Sequence, residues 1–167
     1  MRRLSTLLLL VSTALAATFV AADPAFASGT PRAQFWVDSF SGDKLDKDVT
    51  SSGAGFETDL SKLGRDCWVF GCSNNWNNVI SSIDTTGGGQ QGAYVIVWTN
   101  ANLQGNCLLI PPGKKVADLR HFWARSWWTQ DVYSVPFGFW NDNISSFAVY
   151  QFYPWDSVAY CDTYEAG

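Results

Sequence analysis

Apolar residues along this chain come in short runs and rarely at helical spacing. The runs "QFWV" (34–37), "AYVIVW" (93–98), "CLLI" (107–110) and "SSFAVYQFY" (145–153) are rich in β-branched and aromatic side chains, and Gly, Asn, Asp or Pro punctuates their ends. Such runs predict strands. Helical signals are confined to "DLSKLG" (59–64) and "DLRHFWARSWW" (118–128), each with room for a turn or two. The pattern therefore predicts an all-β fold.

The pattern also repeats. "QFWVDSFSG" (34–42) and "VIVWTNANLQG" (95–105) share an aromatic-bearing strand, a polar turn, an apolar residue, a spacer and a glycine. "TDLSKL" (58–63) matches "ADLRHF" (117–122), and Trp76-Asn77-Asn78 matches Trp140-Asn141-Asp142. These features recur in one order, at offsets of 59 to 64 positions. Between the halves, "DTTGGGQQGAY" (84–94) reads as a linker. A duplicated antiparallel unit of this size predicts two Greek keys packed into one sandwich. The nine tryptophans are expected mostly to fill its core, with Trp127, Trp128 and Trp155, which neighbour polar residues, on the surface.

The N-terminal residues change the picture of where the chain works. Arg2 and Arg3 precede an almost wholly apolar stretch, Leu4 to Ala22, and "ADPAFAS" then offers a small-x-small cleavage pattern. Residues 1–27 read as a secretory signal peptide, and no later stretch is apolar enough to span a bilayer. The remaining 140 residues are ample for one domain with a core. Of 11 basic and 15 acidic side chains, Arg2, Arg3 and Asp23 would be removed, leaving 9 and 14 and a net charge of −5. An acidic chain without a basic run is a poor nucleic-acid binder. Export suits Cys67, Cys72, Cys107 and Cys161, because an oxidising exterior permits disulfides. Three pairings are open to them. The short loop "CWVFGC" favours Cys67–Cys72, which leaves Cys107–Cys161. A CxxxxC pair far from the single His121 is a weak metal signature.

Together these residues resemble the βγ-crystallin Greek-key signature. Trp98, Leu103 and Gly105 fit it well, and Trp36, Phe40 and Gly42 form a copy one residue tighter. Microbial members of that family carry the calcium motif [ND][ND]xx[ST]S. "NNVISS" (77–82) and "NDNISS" (141–146) match it at every position, each after a Trp. The resemblance spans residues 34–150, as two keys over about 34–84 and 93–150, followed by a C-terminal extension, 151–167. Two departures are the polar stretch "DKLDKDVTSSGAGFET" (43–58) and the long segment between Leu119 and Trp140.

The resemblance implies two calcium ions in a crossed clamp. One site would take the Val79 carbonyl, Ser81 and Asp142, and the other the Asn143 carbonyl, Ser145 and Asn78. Carbonyls near Val37 and Thr99 would complete the protein ligands, with Asn77 and Asn141 bracing the loops. Calcium wants six to eight oxygens, and Asn, Asp, Ser and carbonyl groups supply them. Only Asp142 is anionic in the two motifs, so weak sites are expected, about 10⁻⁵–10⁻³ M.

The expected function is a secreted, monomeric calcium-binding protein in which the ion is structural and no reaction is catalysed. An alternative on the same scaffold is a secreted protease inhibitor or killer-toxin-like protein, presenting "CWVFGC" or "IPPGKK" (110–115). A glycan-binding module using surface tryptophans is a third, so the candidate partners are an extracellular protein or a glycan. His121 is the one possible centre of a Ser–His–Asp triad, and "RHFW" offers no nucleophile context. Asp43 and Asp46 lie in a charged run and read as solvated surface.

Overall fold

A computed structural model describes residues 29–69, 71–87 and 92–165. The expected signal peptide, the centre of the Gly-rich stretch and the last two residues lie outside them. The first half carries β1 (Arg32–Trp36), β2 (Lys44–Asp48), β3 (Ala54–Glu57), β4 (Gly64–Trp68), β5 (Gly71–Asn75) and β6 (Ser82–Gly87). The second carries β7 (Tyr94–Asn100), β8 (Gln104–Ile110), β9 (Lys115–Val116), β10 (Trp123–Arg125), β11 (Val132–Ser134), β12 (Ser146–Tyr150) and β13 (Asp162–Glu165). Among the described residues no helix is long and apolar enough to cross a membrane.

The strands form two main sheets, ordered β2-β1-β6-β9 and β11-β10-β13-β8-β7-β12-β3. Each half is a Greek key whose third strand crosses to the other half's sheet: β3 pairs with β12, and β9 with β6. Neither half can bury its apolar face alone, so the keys fold as one sandwich. The inner faces meet at Phe35 of β1 and Phe147 of β12, whose rings stack with centroids 4.1 Å apart. Around them Ile80, Ile83, Val95, Val97, Leu108 and Ile144 are fully buried.

The continuous apolar run of β7 follows from burial on both faces. Val95 and Val97 point into the main core, while Ile96 and Trp98 join a second cluster with Leu109, Ala148 and Cys161. Residues 151–161 form the outer cover: Tyr153 and Val158 pack on that cluster, and the Cys107–Cys161 disulfide fastens it. β13 then returns alongside β8 in parallel, and Asp162 ties it to the loop after β10 and to β11 by accepting from Trp127 N at 3.0 Å and Tyr133 Oη at 2.5 Å. Both cysteine pairs are disulfide-bonded, Cys67–Cys72 stapling the β4–β5 hairpin.

Several expectations need correction. "DLRHFWARSWW" is not helical, because Trp123–Arg125 is a strand paired on both sides, with β11 and β13. "DLSKLG", by contrast, holds a single turn as expected, closed by Lys62 N to Asp59 O at 3.1 Å. The linker reading fails at both ends. β6 runs on to Gly87, and Ala93 is fully buried. "SSFAVYQFY" ends as a strand at Tyr150. Of the nine tryptophans only Trp76, Trp98 and Trp140 are buried, whereas Trp68, Trp123, Trp127, Trp128 and Trp155 are exposed. The polar stretch 43–58 holds β2 and β3, with Asp43 paired to Arg65 and Asp46 to Lys44.

Candidate metal centre

The two serines of each motif have opposite jobs. Ser82 and Ser146 are fully buried. Ser82 Oγ donates to Asp38 O at 2.6 Å and accepts from Phe40 N at 2.9 Å. Ser146 Oγ likewise donates to Asn100 O at 2.6 Å and accepts from Leu103 N at 3.1 Å. These bonds hold the tight turn that follows β1 or β7. That turn also needs Gly42 and Gly105, both left-handed, where a Cβ would meet Val37 Cγ2 at 2.7 Å or the Thr99 and Asn100 side chains.

The first serine of each pair faces the opposite motif. Ser81 Oγ lies 3.2 Å from Asp142 Oδ1, and Ser145 Oγ lies 3.2 Å from Asn78 Oδ1. The pairs cross the molecule, joining residues 61 and 67 positions apart. Backbone bonds repeat the relation. Asn78 N donates to Ile144 O at 3.0 Å and Asp142 N to Ile80 O at 3.3 Å. Ser81 N donates to Trp36 O and Ser145 N to Trp98 O, each at 2.9 Å, so each motif is tied to its own key's first strand. Asn78 and Asp142 both adopt left-handed backbone, a conformation that Asn and Asp tolerate better than most residues. Buried Trp76 and Ile80, and their counterparts Trp140 and Ile144, anchor the loops in the core.

The structure thus brings Ser81 to Asp142 and Ser145 to Asn78, and it lines one polar pocket with Val37, Ser81, Asn141 and Asp142. Asn141 Nδ2 donates to Asp142 Oδ2 at 2.7 Å. Asn143 spends its amide locally, on Phe139 O at 3.0 Å. Val79 packs partly against the core, and Thr99 follows Trp98 at the β7 end.

The donor set fits a hard cation. Two oxygens about 2.4 Å from a common calcium, on adjacent ligand positions, stand roughly 3 Å apart. The Ser–Asp and Ser–Asn oxygens already have that spacing. Among the described residues no group of three His, Cys, Asp or Glu side chains comes together for a metal. The candidate ligands are therefore mainly neutral oxygens. Sequence reasoning missed that Asp38, Asp118 and Arg120 line the Ser81–Asp142 pocket. The repeat carried a signal for Asp118, which occupies the position of Asp59 in the matching hexapeptides. The Arg120 hydrogen bond holds the Asp118 carboxyl below the usual carboxylate range.

Two interlocked Greek keys, each seating a matching motif against its first strand, decide the architecture. The fold is of the βγ-crystallin type. Two solved structures are similar to the chain. One is described as "Evolution of the eye lens beta-gamma-crystallin domain fold", is 18% identical, and has a TM-score of 0.46 over 75% of this chain and 90% of its own. The other is a βγ-crystallin from Ciona intestinalis, 19% identical, with a TM-score of 0.38 over 70% of this chain and 95% of its own. No protein-family profile and no curated protein matches. At this identity no ligand or activity transfers from a βγ-crystallin to this chain.

Proposed function

We propose that the chain is a secreted, monomeric calcium-binding protein of the βγ-crystallin type, in which two ions brace the Greek keys and no reaction is catalysed. The observation that carries this reading is the crossed pairing of Ser81 with Asp142 and Ser145 with Asn78. Asp142, Ser81 and the Val79 and Val37 carbonyls would hold one ion. Asn78, Ser145 and the Asn143 and Thr99 carbonyls would hold the other. Bound calcium would supply positive charge shared by loops from both halves, which meet only in the folded chain. With a dissociation constant of about 10 µM, 1 mM calcium would add about 2.7 kcal/mol per site. For a domain this size one site then raises the melting temperature by about 5–10 °C. Identical melting curves in calcium and in chelator would overturn the reading.

The β4–β5 hairpin supports a second reading, that of a protease inhibitor. It forms a separate two-stranded sheet stapled by Cys67–Cys72, and it leaves Trp68 80% and Val69 94% exposed. A stapled hairpin presenting apolar side chains to water loses less entropy on entering a protease cleft than an unstapled loop would. Inhibition assays against metallo- and serine proteases, with Trp68→Ala as control, test it. Equal and negligible inhibition by both proteins would remove it.

A further inference from the structure

The two halves of the candidate centre are capped by different side chains. In the first key Ser61 holds Asp59: its N and Oγ both donate to Asp59 Oδ1, at 3.1 and 2.5 Å, and the largely exposed Lys62 ammonium pairs with Oδ2 at 2.9 Å. In the second key Arg120 holds Asp118. Its main-chain N donates to Oδ1 at 2.8 Å, and its guanidinium grips both carboxylate oxygens at 2.9 Å. "TDLSKL" and "ADLRHF" align so that Ser61 stands where Arg120 stands.

Each capped turn docks against one serine of the crossed pairs. Leu119 N donates to Ser81 O at 2.9 Å, and Leu60 N donates to Ser145 O at 3.0 Å. The guanidinium therefore lies on the side of Ser81 and Asp142, and Ser61 on the side of Ser145 and Asn78. Arg120 lines the same pocket as Ser81 and Asp142. Its guanidinium is held above its ordinary pKa, chiefly by Asp118 and with a smaller contribution from Asp142. The two halves thus differ in the Asp142 carboxylate against the Asn78 amide, and in how the capping cation is held: the Arg120 guanidinium grips both Asp118 oxygens, whereas the Lys62 ammonium reaches one Asp59 oxygen from a largely exposed side chain.

We infer that Arg120 is a tethered counter-cation that lowers the calcium affinity of the Ser81–Asp142 site. The inference rests on the proposed calcium reading. A fixed positive charge within a Debye length opposes a divalent cation, and this one also occupies both oxygens of Asp118. The guanidinium is half exposed, so the effect is that of a screened charge in high dielectric, about three- to tenfold in affinity.

Calorimetric calcium titration of the full chain tests this. Arg120→Ser should tighten one site about three- to tenfold. Arg120→Gln should reproduce the gain, and Arg120→Lys, which keeps the charge, should stay near the wild-type value. Ser61→Arg should weaken the other site. The Arg120→Ser gain should vanish in a Ser81→Arg background and persist in a Ser145→Arg background. Wild-type calcium binding that Arg120→Ser leaves unchanged would overturn the inference alone, as would an equal gain from Arg120→Lys. No binding heat from the wild-type chain would overturn the calcium reading itself, and the inference with it.

Discussion

Removing the Cys107–Cys161 bridge by paired alanine substitution should cost far more than removing Cys67–Cys72. The first bridge spans 54 positions and the second spans 5. Loop-closure entropy then gives about 4 kcal/mol for the long bridge and about 2 kcal/mol for the short one. Packing widens the gap. Cys161 belongs to the cluster of Ile96, Trp98, Leu109 and Ala148, which residues 151–161 shield from water. The short bridge staples a hairpin whose β5 is exposed throughout, so its loss is local. Against a total stability of about 5–15 kcal/mol, losing about 4 kcal/mol should lower the melting temperature by about 12–20 °C. Equilibrium urea unfolding followed by tryptophan fluorescence, in chelator, measures the difference by linear extrapolation. A Cys107→Ala/Cys161→Ala protein within 1 kcal/mol of wild type, on the roughly 4 kcal/mol scale of a long-loop bridge, would refute the reasoning. So would a larger loss from the hairpin pair.

Phe147→Ala should destabilise the chain by about 3–5 kcal/mol, since it empties the inter-sheet stack on Phe35, and urea unfolding reads that directly. Acid should destabilise the fold as well. Asp48, beside Arg32, Asp59, beside Ser61, and Asp118, beside Arg120, all titrate below the ordinary carboxylate value. Folded pKa values below the unfolded ones give stability that is complete above about pH 5, begins to go as the pH nears the unfolded value of about 4, and is lost as the pH falls through the folded values. Unfolding midpoints at pH 7, 4 and 3 should decline in that order, and a flat series would contradict the assignment.

Much of the fold was legible because its signals are local. The aromatic runs of β1, β7, β8 and β12 announce strands, and the paired motifs announce where the two keys meet. β2 was not legible: in "KLDKD" only Leu45 is apolar, and the strand exists because it pairs with β1 at the sheet edge. β9 is two residues long and is defined only by its partner β6. β10 reads as helix in isolation, and two flanking strands override that propensity. Tryptophan content suggested a core richer in indoles than it is, because Trp68 on the β4–β5 hairpin, Trp123, Trp127 and Trp128 on and after β10, and Trp155 in the outer cover stay in solvent. At the candidate centre the crossed pairs follow from the repeat, whereas Arg120 is visible there only once Leu119 docks on Ser81.

The most direct test of the central claim is a calorimetric calcium titration of wild type, Ser81→Arg, Asp142→Ala and the double variant. Two ions per wild-type chain are expected. Ser81→Arg and Asp142→Ala should impair the same single site although the residues are 61 positions apart, and the double variant should lose no more than Ser81→Arg alone. The Ser145–Asn78 site should keep most of its affinity in all three variants. Independent, additive losses at two different sites would contradict the crossed centre, and an absence of calcium binding by the wild-type chain would contradict the function.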